Sequence, residues 1–270
     1  MNKILAIAKK EFMDNWRNKW IIAISSIFLI LTVITSYFSS GKWEDVNTTI
    51  SGMMMWVVIL ISIISLMLGY ATIVGECERG SLALLLSNPV SREEIIIGKF
   101  LGLGSVIATT LIAGFGIAGI VIGIKAEVNI IEYLSFIGAS ILFALTYIAV
   151  AIFFSSFLKR RSTAIGATIF IWFLFSIIWD MILMGLLIIK YGIKFFEKME
   201  WMAPHWYYVA AIINPNEAFG IFVTTTIKMD RMQIIKFPSY YNPYVASMVL
   251  LLWIITSLSL AIYFFKKRDI

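Results

Sequence analysis

The chain has 270 residues, of which 60% are hydrophobic and 14% charged, with a mean hydropathy of +0.91. A soluble domain carries about 45–50% apolar and about 25% charged residues, so this apolar surface exceeds what one core can hide, and lipid is the second solvent. The composition excludes intrinsic disorder, which needs low hydrophobicity. A single cysteine (Cys77) excludes a disulfide scaffold, and with one histidine it leaves no His/Cys metal centre. The net charge of +6 and pI of 9.3 fit Lys and Arg gathered beside a membrane rather than a nucleic-acid surface.

Residues 1–19 come first. Leu5, Ala8, Phe12, Trp16 and Trp20 recur at helical spacing, with Lys3, Lys10, Asp14 and Arg17 on the opposite face. The pattern predicts an amphipathic helix in the membrane interface; the alternative is a charged extension of the first span. The charged stretch Met1 to Trp16 does not read as a cleavable signal. A span needs roughly 20 mostly apolar residues, and six runs qualify: 20–40, 52–75, 101–124, 133–157, 164–189 and 244–265. The predicted fold is therefore all-α, a single membrane domain over 1–270 with a loop at 76–100 and a long segment at 190–243.

Lys and Arg counts predict the orientation. The N-terminal segment, the 76–100 loop, Lys159-Arg160-Arg161 and the tail Lys266-Lys267-Arg268 together hold 14 of the 22. The opposite side holds eight, and its short loops contribute only Lys42 and Lys125. Both termini are expected in the cytoplasm, in a multi-pass cell-membrane protein. The 190–243 segment is rich in aromatics (Phe195, Phe196, Trp201, Trp206, Tyr207, Tyr208) and is expected to lie on, or dip into, the outer leaflet.

Within the third span, Gly98, Gly102, Ser105, Thr109, Ala113, Gly116, Gly119 and Gly123 fall at intervals of three and four, a stripe that permits close helix packing. Asp180 is the one ionisable residue inside the six runs. It reads either as a pathway or gate residue or as the mark of the fifth span's end, with 181–213 lying in the outer leaflet or re-entering it. Asn214-Pro215-Asn216-Glu217 reads as an N-cap, a proline at the first helical position and a glutamate at N3, starting an outer helix. His205 and Cys77 read as an interfacial residue and an ordinary loop thiol.

The 76–100 loop carries the most information. Residues 81–86 form an apolar turn and a half, stopped by Asn88-Pro89 because the residue before proline leaves the helical region. Ser91-Arg92-Glu93-Glu94 is a capping box that opens the next helix. A surface loop has no reason of its own to carry Leu82, Leu84, Leu85 and Leu86, and an exposed apolar turn among charges predicts docking to another protein.

This loop resembles that of permease subunits of the ABC-2 family of ATP-binding-cassette transporters, which looks like E-x-x-x-G-[ST]-L-x-x-L-L-x-x-P-[VI]-[ST]-R followed by G-K. The matching residues are Glu76, Gly80, Ser81, Leu82, Leu85, Leu86, Pro89, Val90, Ser91, Arg92, Gly98 and Lys99. The opening Lys9-Lys10-Glu11-Phe12 through Arg17 is similar to the family's charged interfacial helix. Asn214, Pro215, Ala218 and Phe219 resemble the branch that includes the nitrous-oxide-reductase maturation permease. The resemblance implies a separate ATP-binding subunit, a dimer of permease halves, and a coupling helix around 80–87. It puts partner contacts at Glu76, Glu78, Arg79, Gly80, Ser81, Leu82, Leu85, Leu86, Pro89 and Arg92, with ATP and Mg in the partner and no cofactor in this chain.

The chain itself lacks a G-x-x-x-x-G-K-[ST] phosphate loop, since Gly98-Lys99 has no upstream glycine at that spacing and is followed by Phe100. No span offers a histidine, a paired carboxylate or a base beside a serine, so an intramembrane enzyme is not supported. The expectation is a non-enzymatic exporter subunit. The alternative is a membrane anchor that relays ATPase motion to an extracytoplasmic protein held by 190–243.

Overall fold

Backbone polar groups in hydrocarbon must pair within the chain, and a helix does this inside one segment. The six apolar runs are accordingly six long helical spans in the computed structural model of the chain, which describes residues 3–39, 46–125, 129–192, 203–227 and 238–268. They are Lys19–Phe38, Thr49–Glu78, Arg92–Ile124, Ile130–Phe157, Arg161–Tyr191 and Pro243–Lys266. Each overlaps its predicted run and mostly gains a turn where the helix continues into polar sequence. Lys42, Phe195, Phe196 and Trp201 lie outside the described residues.

In chain order, α1 (Lys3–Trp16) precedes α2 (Lys19–Ser39), the first span. The second span joins α3 (Val46–Trp56), a π-helical turn at Val57–Ile61 and α4 (Ser62–Gly69); α5 (Val74–Glu78) and α6 (Ser81–Leu86) follow. The third and fourth spans are α7 (Arg92–Lys125) and α8 (Ile130–Phe157). The fifth joins α9 (Arg161–Phe173), a second π-helical turn at Leu174–Ile178 and α10 (Trp179–Tyr191). Next come α11 (His205–Ile213) and α12 (Pro215–Thr226), and α13 (Pro243–Lys266) is the sixth span.

The centre of the bundle is α8, which packs against α4, α7, α12 and α13. Its Phe136 meets Phe115 of α7 with ring centroids 4.9 Å apart, and its Phe143 meets Phe219 of α12 at 4.8 Å. The second and fourth spans are mostly buried, whereas the first and fifth are largely exposed on the single chain.

Helices α11 and α12 form a short hairpin rather than a span. Its turn at Asn214 is buried against the fifth span: Asn214 Nδ2 donates to the Phe175 carbonyl at 2.8 Å. Asn216 Nδ2 donates to the same carbonyl at 3.2 Å, and Tyr147 of α8 donates its phenol proton to Asn216 Oδ1 at 2.5 Å. Tyr147 lies roughly 15 Å of helix from the Phe157 end of α8 at 1.5 Å per residue. The hairpin tip therefore reaches about the middle of the bundle and returns. Helix α12 does begin at the predicted Asn-Pro cap, with Asn216 N donating to Asn214 Oδ1 at 3.0 Å, but that start is deep in the bundle rather than at an outer surface. The reason is the π-helical turn, a break in the regular hydrogen-bond ladder often found where function or strain demands it; the two asparagines bind its Phe175 carbonyl.

The small-residue stripe of α7 divides. An added Cβ at Gly98 would lie 2.8 Å from Ile7, and one at Gly102 would lie 2.6 Å from the Ala8 carbonyl, so α1 packs directly across these two glycines. Gly119 faces Tyr133. Ser105, Thr109, Ala113, Gly116 and Gly123 are exposed instead, and a Cβ at Gly116 or Gly123 would meet nothing within 4 Å. The stripe is thus a docking track for α1 at one end and an uncovered face further along.

Candidate coupling site

The α5–α6 turn, α1, the α8–α9 turn and the end of α13 meet at one end of the bundle, so both terminal segments lie on the same side. Gly80 joins α5 to α6 with φ 73°, a left-handed conformation that glycine adopts without a Cβ penalty. The six-residue α6 is then closed by Ser87 Oγ and Asn88 Nδ2, both donating to the Leu84 carbonyl, at 2.8 and 3.2 Å. The predicted capping box follows. Ser91 N donates to Glu94 Oε2 at 2.7 Å and Glu94 N to Ser91 Oγ at 3.1 Å, starting α7.

The residues expected to contact the partner separate into two sets. Glu78, Arg79, Gly80, Ser81 and Pro89 are exposed, together with Ala83 and Leu84, which is 73% exposed. Leu82 is fully buried in the chain's own core, and Leu85 and Leu86 are half-buried against it. Leu82 therefore seats α6 on the bundle, and the apolar residue offered outward is Leu84. The sequence shows five apolar residues in a row here, Leu82 to Leu86, which hides the face that one short helix turns inward.

Glu76 and Arg92 also belong to the frame rather than to the outer surface. Glu76 is 8% exposed and its Oε1 lies 2.9 Å from Lys99 Nζ and 3.2 Å from Lys10 Nζ. Lys99 is 1% exposed and also reaches Glu11 Oε1 at 2.6 Å. Lys99, Glu11 and Glu76, from α7, α1 and α5, thus form one buried node, with the exposed Lys10 at its rim. Desolvation opposes the charge on Lys10, but attraction from Glu76 and Glu11 outweighs it and raises that ammonium's pKa above its ordinary value. The Arg92 guanidinium donates to carbonyls at and just beyond the end of α13, including Lys266 O at 3.0 Å and Arg268 O at 2.8 Å, where a cation complements the helix dipole.

Two more contacts brace the exposed turn. Arg161 N donates to Glu78 Oε1 at 2.7 Å and its guanidinium to the Tyr70 phenol oxygen at 2.8 Å, tying the start of α9 to α5. Ser155 Oγ of α8 accepts from the amides of Ile73 and Val74 at 2.9 and 3.1 Å, satisfying donors that a helix N-terminus leaves open. Sequence reasoning missed the Lys99 node and Ser155. Only the charges of the node were a signal, because lysine and glutamate are almost never buried unless paired.

A family profile described as "ABC-2 family transporter protein" matches residues 5–270 of this chain. The chain belongs to the ABC-2 family. It is also 30% identical over 283 residues to a "Probable ABC transporter permease protein NosY" of Stutzerimonas stutzeri, covering 99% of each chain. A protein of the same description from Pseudomonas aeruginosa is 30% identical over 231 residues, covering 82% of this chain and 81% of that one. This ABC-2 chain is accordingly a multi-pass membrane permease subunit of an ABC transporter, and its relatives are permeases rather than ATPases. The family implies an ATP-binding subunit as partner.

Asp180 lies within the continuous fifth helix, in the first turn of α10, and is exposed on the single chain. The fifth span therefore does not end at Trp179-Asp180. His205 is exposed with Nδ1 3.3 Å from the Tyr240 hydroxyl, and Cys77 is a half-buried free thiol.

Proposed function

We propose that this permease subunit drives export, with its ATP-binding subunit docked on the exposed turn Glu78–Leu84 together with Ser87 and Pro89. The observation that carries this reading is the seating of α6. Its outer face is free, while Leu82 beneath it and the Glu76–Lys99–Glu11 node beside it connect it to three helices of the bundle. A push on α6 then moves α1, α5 and α7 as one body, and the bond from Arg161 to Glu78 carries the same displacement to α9. On this reading the 159–163 turn belongs to the coupling path. The excess of Lys and Arg on the terminal side puts that side in the cytoplasm.

The substrate path lies between two copies. The first and fifth spans bury little within one chain, and Asp180 stands on the fifth; an ionisable residue in a span faces a bundle interior or an aqueous cavity rather than lipid. A second copy against these helices supplies that environment. A relay to a protein on the opposite face would use the same coupling path, with the exposed His205 and Val209 of α11 as its contact. Co-purification of the ATP-binding subunit in mild detergent, followed by ATP-dependent flux in proteoliposomes, tests the reading. Flux that requires both subunits and falls when Asp180 becomes Asn supports export. Capture of a stable partner on the far face with no flux supports the relay.

A further inference from the structure

Two spans are interrupted at the same level of the bundle. The second has its π-helical turn at Val57–Ile61 and the fifth at Leu174–Ile178. Trp172, two residues before the later turn, donates its indole proton to Ser62 Oγ, immediately after the earlier one, at 3.0 Å. A π-turn bonds i to i+5 and so holds one residue more than an α turn. It is also one of the few features that sharply bend a helix, and proline, the commoner cause, is absent from both spans.

The half-helices on either side of each turn are held by different neighbours. On the side of the termini, α4 packs chiefly on α8 and α9, and α9 on α4, α5 and α8. On the far side, α3 packs on α2, where Trp56 Nε1 donates to Thr35 Oγ1 at 2.8 Å. There α10 packs on α11, and Trp179 Nε1 donates to the Ala210 carbonyl at 3.2 Å. A bend loosens backbone carbonyls that hydrocarbon cannot satisfy, and both turns already have side chains that serve them. Ser62 Oγ shares its proton between the Val58 and Ile59 carbonyls at 2.5 and 3.1 Å, a back-bond that itself bends helices. At the other turn Asn214 and Asn216 hold the Phe175 carbonyl.

We propose that the paired π-turns are a hinge, about which α4 and α9 swing as one unit while α3 and α10 stay with α2 and the hairpin. The inference rests on the reading that a push on α6 reaches α9 through Glu78 and Arg161, and it says where that push stops. The Trp172–Ser62 bond couples the two moving halves on their own side of both turns. The hairpin anchors the fifth span beyond its turn, so Asp180 keeps its place while the terminal-side half of that span tilts. The tilt changes the width between the halves on the side of the termini and leaves the far side closed, whatever the direction of transport.

The test reads distances between nitroxide pairs in the full chain bound to its ATP-binding subunit, with and without a non-hydrolysable ATP analogue. Cysteines replace exposed residues in a Cys77→Ser background, and labelled chains are diluted into unlabelled ones so that only distances within a chain are read. Ile165 lies roughly 14 Å along the helix from Leu174, so a bend of about 20° moves it by about 5 Å. The Ile165→Cys/Leu260→Cys distance should shift by that amount, and Ile189→Cys/Met248→Cys on the far side should not. Ile165→Cys/Met67→Cys, within the swinging unit, should stay constant, and it should begin to change in Trp172→Phe, which loses the bond to Ser62. Deleting the exposed Ile177 converts the later turn to a regular helix and should abolish the Ile165 shift while the ATP-binding subunit is retained. An Ile189 shift as large as that of Ile165 means a rigid tilt and overturns the hinge in the native sequence, whether or not the deletion variant assembles. An Ile165–Met67 distance that changes in the native sequence, or an unaltered shift after the deletion, overturns it too. Subunit retention is measured in the same samples: a rigid tilt in a complete complex leaves the coupling reading standing, and no shift of either half in a complete complex removes both.

Discussion

Lys99 and Glu11 stand 88 positions apart in the chain, yet the Lys99 ammonium lies 2.6 Å from the Glu11 carboxylate, with both side chains almost wholly buried. Removing one partner of a buried ion pair leaves a charge uncompensated and costs about 3–5 kcal/mol, whereas replacing the pair by apolar groups is often neutral. Lys99→Met should therefore destabilise the chain strongly, since it strands Glu11 and half the partners of Glu76. Lys99→Met combined with Glu11→Met should recover part of the loss. Thermal unfolding in detergent, arranged as a double-mutant cycle, measures the coupling, and additive effects would mean that the node is not a unit.

The two leucines of α6 should behave oppositely. Leu82→Ala empties a buried site and should cost about 2–5 kcal/mol of stability, visible as a lower melting temperature of the permease alone. Leu84→Asp changes an exposed position and should leave that melt unchanged while weakening retention of the ATP-binding subunit. Normal co-purification of that subunit with Leu84→Asp would remove α6 as its docking element.

How much of this the sequence disclosed depends on the kind of interaction. The six spans were legible because hydrocarbon imposes one length and one composition on each. The Ser91–Glu94 capping box was legible because its members are three residues apart. The facing of α6 was not: with leucine or alanine at every position from 82 to 86, no period distinguishes the buried Leu82 from the exposed Leu84. The charged node was equally hidden, since its members are separated by up to 88 residues and each looks like an ordinary interfacial charge. The hairpin was legible only as a segment lying on or dipping into the leaflet, because 9 and 12 residues are too few for a span, and its asparagines read as a simple cap until Phe175 is seen beside them.

Two glycines of α7 give a second contrast. Gly102→Ala sets a Cβ 2.6 Å from the Ala8 carbonyl and must push α1 away from α7, because backbone cannot yield as a flexible side chain does. Gly116→Ala meets nothing within 4 Å and should leave the single chain's stability unaltered. Limited proteolysis near residue 17 reports the release of α1. Equal protection in both variants would argue against the α1–α7 contact.

At the hairpin tip, Asn214→Ala loses the cap of α12 and one of two donors to the Phe175 carbonyl, an expected loss of about 1–3 kcal/mol. Tyr147→Phe removes one hydrogen bond to Asn216 and should cost about 0.5–1.5 kcal/mol. Chemical or thermal melts of the two variants should rank in that order.

Orientation can be read with an impermeant thiol reagent. In a Cys77→Ser background, Arg160→Cys should be shielded in sealed right-side-out vesicles and His205→Cys should react, both positions being exposed on the chain. The reverse pattern would invert the assignment of the terminal side to the cytoplasm.

The hairpin tip also dictates an order of assembly. Asn214 and Asn216 are polar groups placed near the middle of the bundle, and hydrocarbon offers them nothing, at several kcal/mol for each unsatisfied group. The groups that receive them, Tyr147 and the Phe175 carbonyl, belong to the fourth and fifth spans, which the ribosome has already released when α11 emerges. Trp253, whose indole donates to the Ile213 carbonyl at 2.9 Å, arrives only with the last span. The tip must therefore enter a slot formed by earlier helices, and α13, the sixth span, closes that slot behind it.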